Sequence, residues 1–327
     1  MATPSSTTAL FQSPLVQLDV AALLTASQIN DRLTEAKITK TQPFNFAPAK
    51  ASSLPSTVSA NIPGGSRQNR ILGTLGDDDI TGTSRRDFIN GRPGNDLMRG
   101  ANGDDVVVGG LGNDTISGDH VVSQTTRSND QLAGGPGQDK LFGRIGNDIL
   151  IGGDGDDQLF GGSSSDRLIG GAGDDQLFGG IVSGDQSFNP FADGRDFLTG
   201  GSGDDFLDGG DGIDVINGTD GFARGSGEVD LLTGGGGRDL FVLGSRATAY
   251  YKDGGAEEDF AFINDFTFSD WIRLHGDASQ YDLDYDPGSN SSLIYYTGES
   301  DFELIAILDG VNISNLSLNS NVFQYVA

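Results

Sequence analysis

A nine-residue alternation of polar and apolar positions runs through the middle of the chain. Aspartates recur every nine residues, and the residue two positions after each of them is apolar in all sixteen cases. Three interruptions add 7, 12 and 7 residues to the series. A fixed period of this length predicts a repeat architecture in which each unit packs on its neighbours. The aspartates of the series are Asp78, Asp87, Asp96, Asp105, Asp114, Asp130, Asp139, Asp148, Asp157, Asp166, Asp175, Asp196, Asp205, Asp214, Asp230 and Asp239.

Glycine fills the other regular positions of the repeat. It stands two residues before the aspartate in twelve of sixteen repeats, and five residues before it in all but two, where Thr125 and Phe191 replace it. The unit is G-G-x-G-x-D-x-U-x, with U apolar, as in residues 152–160. Because glycine adopts left-handed backbone angles that other residues avoid, the first six positions predict a turn. The last three predict a short strand whose middle residue, U, faces the opposite side from its neighbours.

Two units make one coil, with a strand on each face and the U residues of both faces inside. Stacked coils bring equivalent strands to about 4.8 Å, so aspartates eighteen residues apart, such as Asp139 and Asp157, lie next to each other. Carboxylates so close repel each other unless a cation lies between them. Ca²⁺ accepts about six to eight oxygen ligands from carboxylates and main-chain carbonyls. The spacing therefore predicts several calcium sites, with all sixteen aspartates as candidate ligands.

Composition and charge favour the same conclusion. The chain has 327 residues, 51 of them glycine and none cysteine, and a formal net charge of −27. With 47 acidic and 20 basic residues it lacks the basic surface of a nucleic-acid-binding protein. Thiolate sites and disulfides are excluded, and two histidines make a poor zinc site. Disordered low-complexity sequence is the alternative, and it is the favoured state without calcium, but disorder requires no apolar residue in every repeat.

The repeat unit resembles the RTX, or haemolysin-type, calcium-binding nonapeptide repeat. The resemblance implies an all-β fold: a right-handed parallel β-roll of about eight coils, with a C-terminal β cap and a largely unstructured N-terminal segment. It implies several bound Ca²⁺ ions. It also implies export by a type I secretion machinery to the cell exterior or the cell surface.

Changes in composition divide the chain into three predicted segments. Residues 1–70 form a low-complexity segment, with one short amphipathic helix within 23–38 and a proline-rich linker over 41–63. Residues 71–242 form the repeat region. Its insertions lie near 118–127, 179–190 and 218–224.

The third segment, residues 243–327, is predicted to cap the roll, since an open solenoid end needs a cover. Four strands are predicted there, at 260–268, 293–297, 303–308 and 321–326. In RTX proteins such a segment also acts as an uncleaved secretion signal. No cleaved signal peptide and no transmembrane span are expected, because residues 1–8 lack basic residues and no apolar run approaches about 18 residues.

No catalytic motif is found. The sequence contains neither H-E-x-x-H nor G-x-S-x-G, and its histidines, His120 and His275, are far apart. We therefore expect a non-enzymatic, calcium-binding secreted or cell-surface protein. The alternative is a calcium-dependent carbohydrate-binding or adhesive accessory module, whose partner would be a cell-surface or matrix polysaccharide.

The last position of the repeat predicts an outward-facing ladder. Phe142, Phe160 and Phe178 are expected to stack on one face of the roll, with Ile151 and Ile169 on the other. Such a ladder either supports the strands through cross-strand contacts or marks a contact surface.

Overall fold

The computed structural model describes residues 56–59 (backbone only), 69–119, 128–180, 194–219, 227–251, 259–298, 303–312 and 316–326. These ranges contain β-strands and one short 3-10 helix, Ala278–Gln280. No helix in them is both long and apolar enough to cross a membrane. The predicted helix within 23–38, His120 and most of the three insertions lie outside the described residues.

In chain order the strands are β1 (Ser56–Ser59), β2 (Asn69–Leu72), β3 (Asp78–Thr81), β4 (Asp87–Pro93), β5 (Leu97–Arg99), β6 (Val106–Leu111), β7 (Thr115–Ser117), β8 (Gln131–Pro136), β9 (Lys140–Ile145), β10 (Ile149–Asp154), β11 (Gln158–Ser163), β12 (Arg167–Ala172), β13 (Gln176–Phe178), β14 (Phe197–Ser202), β15 (Phe206–Asp208), β16 (Asp211–Gly212), β17 (Val215–Thr219), β18 (Val229–Thr233), β19 (Gly236–Gly237), β20 (Leu240–Val242), β21 (Phe260–Ile263), β22 (Trp271–His275), β23 (Tyr281–Asp286), β24 (Ser291–Tyr296), β25 (Glu303–Leu308) and β26 (Phe323–Val326).

Successive repeats alternate between two long sheets. The first sheet has thirteen strands, in the order β1-β3-β5-β7-β9-β11-β13-β15-β18-β21-β25-β24-β23. The second has eleven, in the order β2-β4-β6-β8-β10-β12-β14-β17-β20-β22-β26, and β16 pairs with β19 in a separate ribbon. Neighbours eighteen residues apart pair in parallel, as Leu159 does with Leu141 and Leu177. The predicted all-β parallel roll is confirmed.

The core of the roll consists of the U positions. All sixteen apolar residues that follow the repeat aspartates by two positions are buried, none more than 1% exposed. They belong to one hydrophobic cluster that continues into the C-terminal segment. Since the side chains of a strand alternate between its two faces, the single apolar residue of each repeat is enough to fill this interior.

Parallel pairing begins before the predicted repeat region. β1 pairs with β3 and β2 pairs with β4, with Ser56 opposite Asp78 and Asn69 opposite Asp87. These strands place an uncharged polar residue where later repeats have aspartate. The predicted linker over 41–63 therefore contains one strand of the first sheet, which the proline-rich composition concealed.

The C-terminal segment extends both sheets. β21 and β25 continue the first sheet in parallel, and β22 and β26 continue the second. Among the strands of the described residues, antiparallel pairing is confined to β23, β24 and β25, at the end of the first sheet. The four predicted strands are present, although the one predicted over 260–268 ends at Ile263. β22 and β23 were not predicted.

The aromatic ladder has the predicted geometry. The rings of Phe142 and Phe160 are parallel to within 11° at a centroid distance of 5.0 Å, and those of Phe160 and Phe178 to within 3° at 5.1 Å. Stacking leaves Phe160 only 7% exposed, whereas Ile151 on the opposite face is 41% exposed. These contacts agree with strand support. A contact surface stays a prediction.

Candidate metal centre

The structure brings the repeat aspartates into two columns, one at the start of the strands of each sheet. In each column, the backbone N–H of one aspartate donates to Oδ1 of the aspartate in the next coil, at 2.7–3.0 Å. The first column consists of Asp78, Asp96, Asp114, Asp139, Asp157, Asp175, Asp205 and Asp230. The second consists of Asp87, Asp105, Asp130, Asp148, Asp166, Asp196, Asp214, Asp239 and Asp270.

Asp270 is a member that the sequence analysis missed. It lies in the C-terminal segment, 31 residues after Asp239, and accepts the Asp239 N–H at 3.0 Å. No glycine-rich turn precedes it, so the nine-residue period does not find it. The signal that was available is the triplet Asp270-Trp271-Ile272, which keeps the aspartate and the apolar residue two positions later.

The second carboxylate oxygen, Oδ2, has no hydrogen-bond partner in many of these turns. Leaving a buried polar atom unpaired costs about 1–3 kcal/mol, and more for a charged group. A column of such oxygens therefore calls for a cation. Column aspartates whose buried Oδ2 has no hydrogen-bond partner among the described residues include Asp96, Asp105, Asp114, Asp130, Asp139, Asp148, Asp157, Asp175 and Asp205.

The first glycine of the repeat shows what Oδ2 faces. A Cβ placed on Gly152 would overlap both Oδ2 of Asp157 and the carbonyl oxygen of Gly170 in the next coil. Gly143 has the same relation to Asp148 and to the Gly161 carbonyl. A carboxylate oxygen and a main-chain carbonyl oxygen thus lie against one Cα, and both are ligand types that Ca²⁺ prefers.

In most coils, the second and fourth positions of the repeat adopt left-handed backbone. Gly153 and Gly155 have φ of +132° and +123°, and a Cβ on Gly155 would overlap the Gly137 carbonyl oxygen of the preceding coil. The turn carbonyls therefore stack coil on coil. Arg92, Ala101, Arg144 and Ser164 occupy such positions with φ between 77° and 88°. These turns store backbone strain that glycine would avoid.

The structure shows at which repeat position the insertions predicted near 118–127, 179–190 and 218–224 begin. Gly118, Gly179 and Gly218 each lie beside the aspartate of the repeat that follows the insertion, in the position of a first glycine. Thr125 and Phe191, five residues before their aspartates, are therefore not exceptions to the glycine rule. The extra residues follow the first position of the repeat, and the register of the column is kept across them.

Burial raises the pKa of several aspartates in the interior of the columns. It raises the pKa of Asp157 to about 7 and that of Asp175 to about 8, with neighbouring carboxylates adding to the shift and the ladder hydrogen bond opposing it. In the second column, burial and the charges of Asp148 and Asp105 raise the pKa of Asp130 to about 9. Ionised aspartates are thus unstable in the columns unless positive charge is supplied.

The donor set fits calcium better than a metal bound by side chains alone. In the described part of the chain, no three His, Cys, Asp or Glu side chains group as a metal site. The remaining ligands must come from the turn carbonyls. An all-oxygen shell that mixes carboxylates with carbonyls suits Ca²⁺, whereas Zn²⁺ prefers nitrogen and sulfur ligands.

Comparison with known families agrees with this geometry. A family model described as "RTX calcium-binding nonapeptide repeat (4 copies)" matches residues 72–107, 81–116, 124–159, 151–181 and 192–223. The matched part of the roll, within residues 72–223, consists of RTX repeats. RTX nonapeptide repeats bind Ca²⁺, and the many copies here imply several ions.

Other comparisons add little. No curated protein matches the chain in sequence. Among solved structures, the extracellular lipase LipA from Serratia marcescens matches at 17% identity with a TM-score of 0.17, over 80% of this chain and 40% of the lipase chain. This chain thus spans less than half of the lipase, and at that TM-score nothing about its activity follows from the likeness.

The RTX turns contain a second ladder that the sequence analysis missed. At the position before the column aspartate, a side-chain oxygen accepts the backbone N–H of the equivalent residue in the next coil. The Asn95 side chain accepts from Asn113, and that of Asn129 from Asn147, both at 2.8 Å. The available signal was Asn or Asp at this position in nine of sixteen repeats. This exposed ladder fastens adjacent turns without contributing to the column.

Proposed function

We propose that this chain is a calcium-dependent structural protein in which Ca²⁺ is held between successive coils of the RTX roll. The observation that carries the proposal is the set of buried Oδ2 atoms without a hydrogen-bond partner. Each lies close to a glycine Cα that also faces a carbonyl oxygen of the next coil, as at Gly152. A cation there would neutralise the carboxylates and use the carbonyls.

As ligands we propose the aspartates of the two columns, and the nine with an unpartnered Oδ2 are the strongest candidates. Their Oδ1 atoms already accept the ladder N–H groups, so each carboxylate offers one oxygen to a metal. In the folded roll, the ladder fixes the carboxylate so that this oxygen lies at the metal site.

We further propose that the roll folds outside the cell. Calcium modules of extracellular proteins bind at about 10⁻⁴–10⁻³ M. A chain with this affinity stays unfolded at cytosolic calcium and folds on export. The resemblance to RTX proteins supports a type I secretion machinery as partner and a secreted or cell-surface location. The absence of cysteine agrees with a fold held by metal rather than by disulfides.

We propose a non-enzymatic role for the whole chain. The RTX roll is a calcium-binding structural domain. Outside it, the one described histidine, His275, makes a hydrogen bond through Nδ1 with the Ser245 carbonyl at 2.8 Å. That contact fixes the ring in the C-terminal segment. No contact among the described residues favours the polysaccharide-binding alternative.

Limited proteolysis of the full chain tests the proposal. With millimolar Ca²⁺, the fragment that covers 69–251 should resist digestion, and with EGTA it should be cut at many of its turns. Magnesium at the same concentration is the control and should not protect, since Mg²⁺ requires a tighter octahedral shell. Equal resistance in EGTA and in calcium would contradict the proposal.

A further inference from the structure

The C-terminal end of the first column differs from its interior. Asp230 is the last aspartate of this column, and its Oδ2 accepts a hydrogen bond from the Tyr251 hydroxyl. Tyr251 is fully buried. In the interior, by contrast, Oδ2 of Asp157 and Oδ2 of Asp205 have no hydrogen-bond partner. The terminal carboxylate is thus satisfied by the protein itself.

The Tyr251 hydroxyl stands where an earlier coil places a carbonyl. A Cβ on Gly200 would meet Oδ2 of Asp205 and the Gly218 carbonyl oxygen. One coil later, a Cβ on Gly218 would meet Oδ2 of Asp230 and the Tyr251 hydroxyl. The phenol therefore lies where a further coil would have placed a main-chain oxygen, but unlike a carbonyl it donates a hydrogen bond to Oδ2 directly.

A short hairpin after β20 brings the tyrosine to this place. Leu243 occupies the position of the next first glycine, two residues after the apolar core residue, and its carbonyl accepts the Tyr250 N–H at 3.1 Å. Gly244 and Ala249 form an isolated antiparallel bridge. Tyr251 then has φ of 53°, which is rare for a residue other than glycine and indicates that its surroundings hold it there.

Hydroxyl-bearing residues also contact the aspartates at the other column ends. The Thr74 and Thr83 N–H groups donate to Oδ2 of Asp78 and Asp87 at 2.5 Å, and each hydroxyl bonds the same carboxylate. At the far end of the second column, the Thr267 N–H and hydroxyl both donate to Oδ2 of Asp270 at 2.8 Å. At all four column ends, therefore, a side-chain hydroxyl donates a hydrogen bond to the carboxylate of the terminal aspartate.

We infer that Tyr251 closes the first column: its hydroxyl takes the place of an ion at Asp230, and Asp230 is not a calcium ligand. The inference rests on the proposed function, because it treats the interior Oδ2 atoms as the ligands. It removes Asp230 from the ligands proposed above, and it differs from the expectation from the repeat alone, in which all sixteen aspartates are equivalent. The end of the metal column is then fixed by a side chain outside the nonapeptide repeats.

Two matched substitutions in the full chain test this inference. Asp230→Asn and Asp157→Asn each keep an Oδ1 acceptor for the ladder N–H, from Asp205 and Asp139 respectively. Calorimetry gives the number of ions, and circular dichroism gives the calcium midpoint. We expect Asp157→Asn to lose ions and to raise the midpoint several-fold. Asp230→Asn should keep both values of the parent.

The outcomes distinguish a failure of the inference about Tyr251 from a failure of the proposed function. If Asp230→Asn loses ions as Asp157→Asn does, the inference about Tyr251 is wrong and the proposed function stands. If Asp157→Asn binds the parental number of ions, the ligand role of the aspartates fails, and the inference fails with it. Tyr251→Phe is the second variant: it should keep the ion number and lower the melting temperature in saturating calcium. Loss of an ion in Tyr251→Phe would make the hydroxyl a ligand and overturn the inference.

Discussion

The backbone N–H of Asp139 donates a hydrogen bond of 2.7 Å to Oδ1 of Asp157, eighteen residues later in the chain. Because only Oδ1 takes part in this contact, the two carboxylate oxygens of a repeat aspartate have different roles. Oδ1 fastens one coil to the next, whereas Oδ2 of Asp157 has no hydrogen-bond partner and is the oxygen that we propose binds a cation. A substitution that keeps the Oδ1 acceptor but changes Oδ2 can therefore separate the contribution of the hydrogen bond between coils from that of metal binding.

Two substitutions of Asp148 measure the contribution of the Oδ1 hydrogen bond. Its Oδ1 accepts the Asp130 N–H at 2.8 Å. Asp148→Asn keeps this acceptor and Asp148→Ala removes it, so the alanine variant should be less stable by about a further 1–3 kcal/mol. Urea unfolding in saturating calcium measures the difference. Equal free energies of unfolding for the two variants would show that the Oδ1 ladder contributes nothing to stability.

The stacked turn carbonyls predict a position-dependent effect of alanine. Gly155→Ala should destabilise the roll by about 1–3 kcal/mol or more, because φ is +123° and the new Cβ would overlap the Gly137 carbonyl. Gly76 holds the same repeat position in the first described turn, where a Cβ meets nothing within 4 Å. Gly76→Ala is therefore the matched control and should change stability by less than about 0.5 kcal/mol. Thermal unfolding in calcium checks both, and equal losses would contradict the stacking.

The raised pKa values predict an acid-stabilised calcium-free state. Unfolded aspartate has a pKa of about 3.9, whereas burial raises the pKa to about 6 for Asp139 and about 9 for Asp130 in the folded roll. The folded state then binds more protons than the unfolded one, so its stability falls as pH rises. This contribution is complete below about pH 4 and is lost as pH rises through the folded values, from about 6 to about 9.

Two measurements test the predicted fall in the stability of the calcium-free roll as pH rises. In EGTA, β structure should increase as pH is lowered from about 8 to about 5. At about pH 5, where the calcium-free roll holds protonated aspartates, calcium binding should release protons, because calcium ligands must be ionised. Titrations in two buffers with different heats of ionisation count those protons. A calcium-free roll that gains stability with rising pH would contradict the burial of the columns.

The aromatic ladder predicts unequal effects on the two faces. Phe160 stacks between Phe142 and Phe178 and is 7% exposed, so Phe160→Ala should lower stability by about 3 kcal/mol. Ile151 is 41% exposed at the same repeat position of the other face, and Ile151→Ala should cost less than about 1 kcal/mol. Urea unfolding in calcium compares them. Similar losses would remove the case for strand support.

The sequence predicts the repeat region well because one period sets several structural features at once. The spacing of Asp139 and Asp157 determines the strand register, the inward position of Leu159 and the stacking of Phe142 on Phe160. These features can be predicted from the sequence because every coil repeats the same local contacts.

The ends of the roll could not be predicted in the same way. Asp270 continues a column without its glycines, and Tyr251 reaches Asp230 through a hairpin that has no counterpart in the repeats. β1 continues the first sheet with Ser56 in the place of an aspartate. These residues depend on tertiary contacts that a nine-residue pattern does not contain.

The central claim is that the RTX roll folds because Ca²⁺ binds. Far-ultraviolet circular dichroism of the full chain, titrated with calcium from an EGTA-buffered start at neutral pH, tests it most directly. We predict a disordered spectrum in EGTA and a cooperative change to a β-rich spectrum, with a midpoint between about 10⁻⁴ and 10⁻³ M. A β-rich spectrum that persists in excess EGTA at neutral pH would contradict the claim.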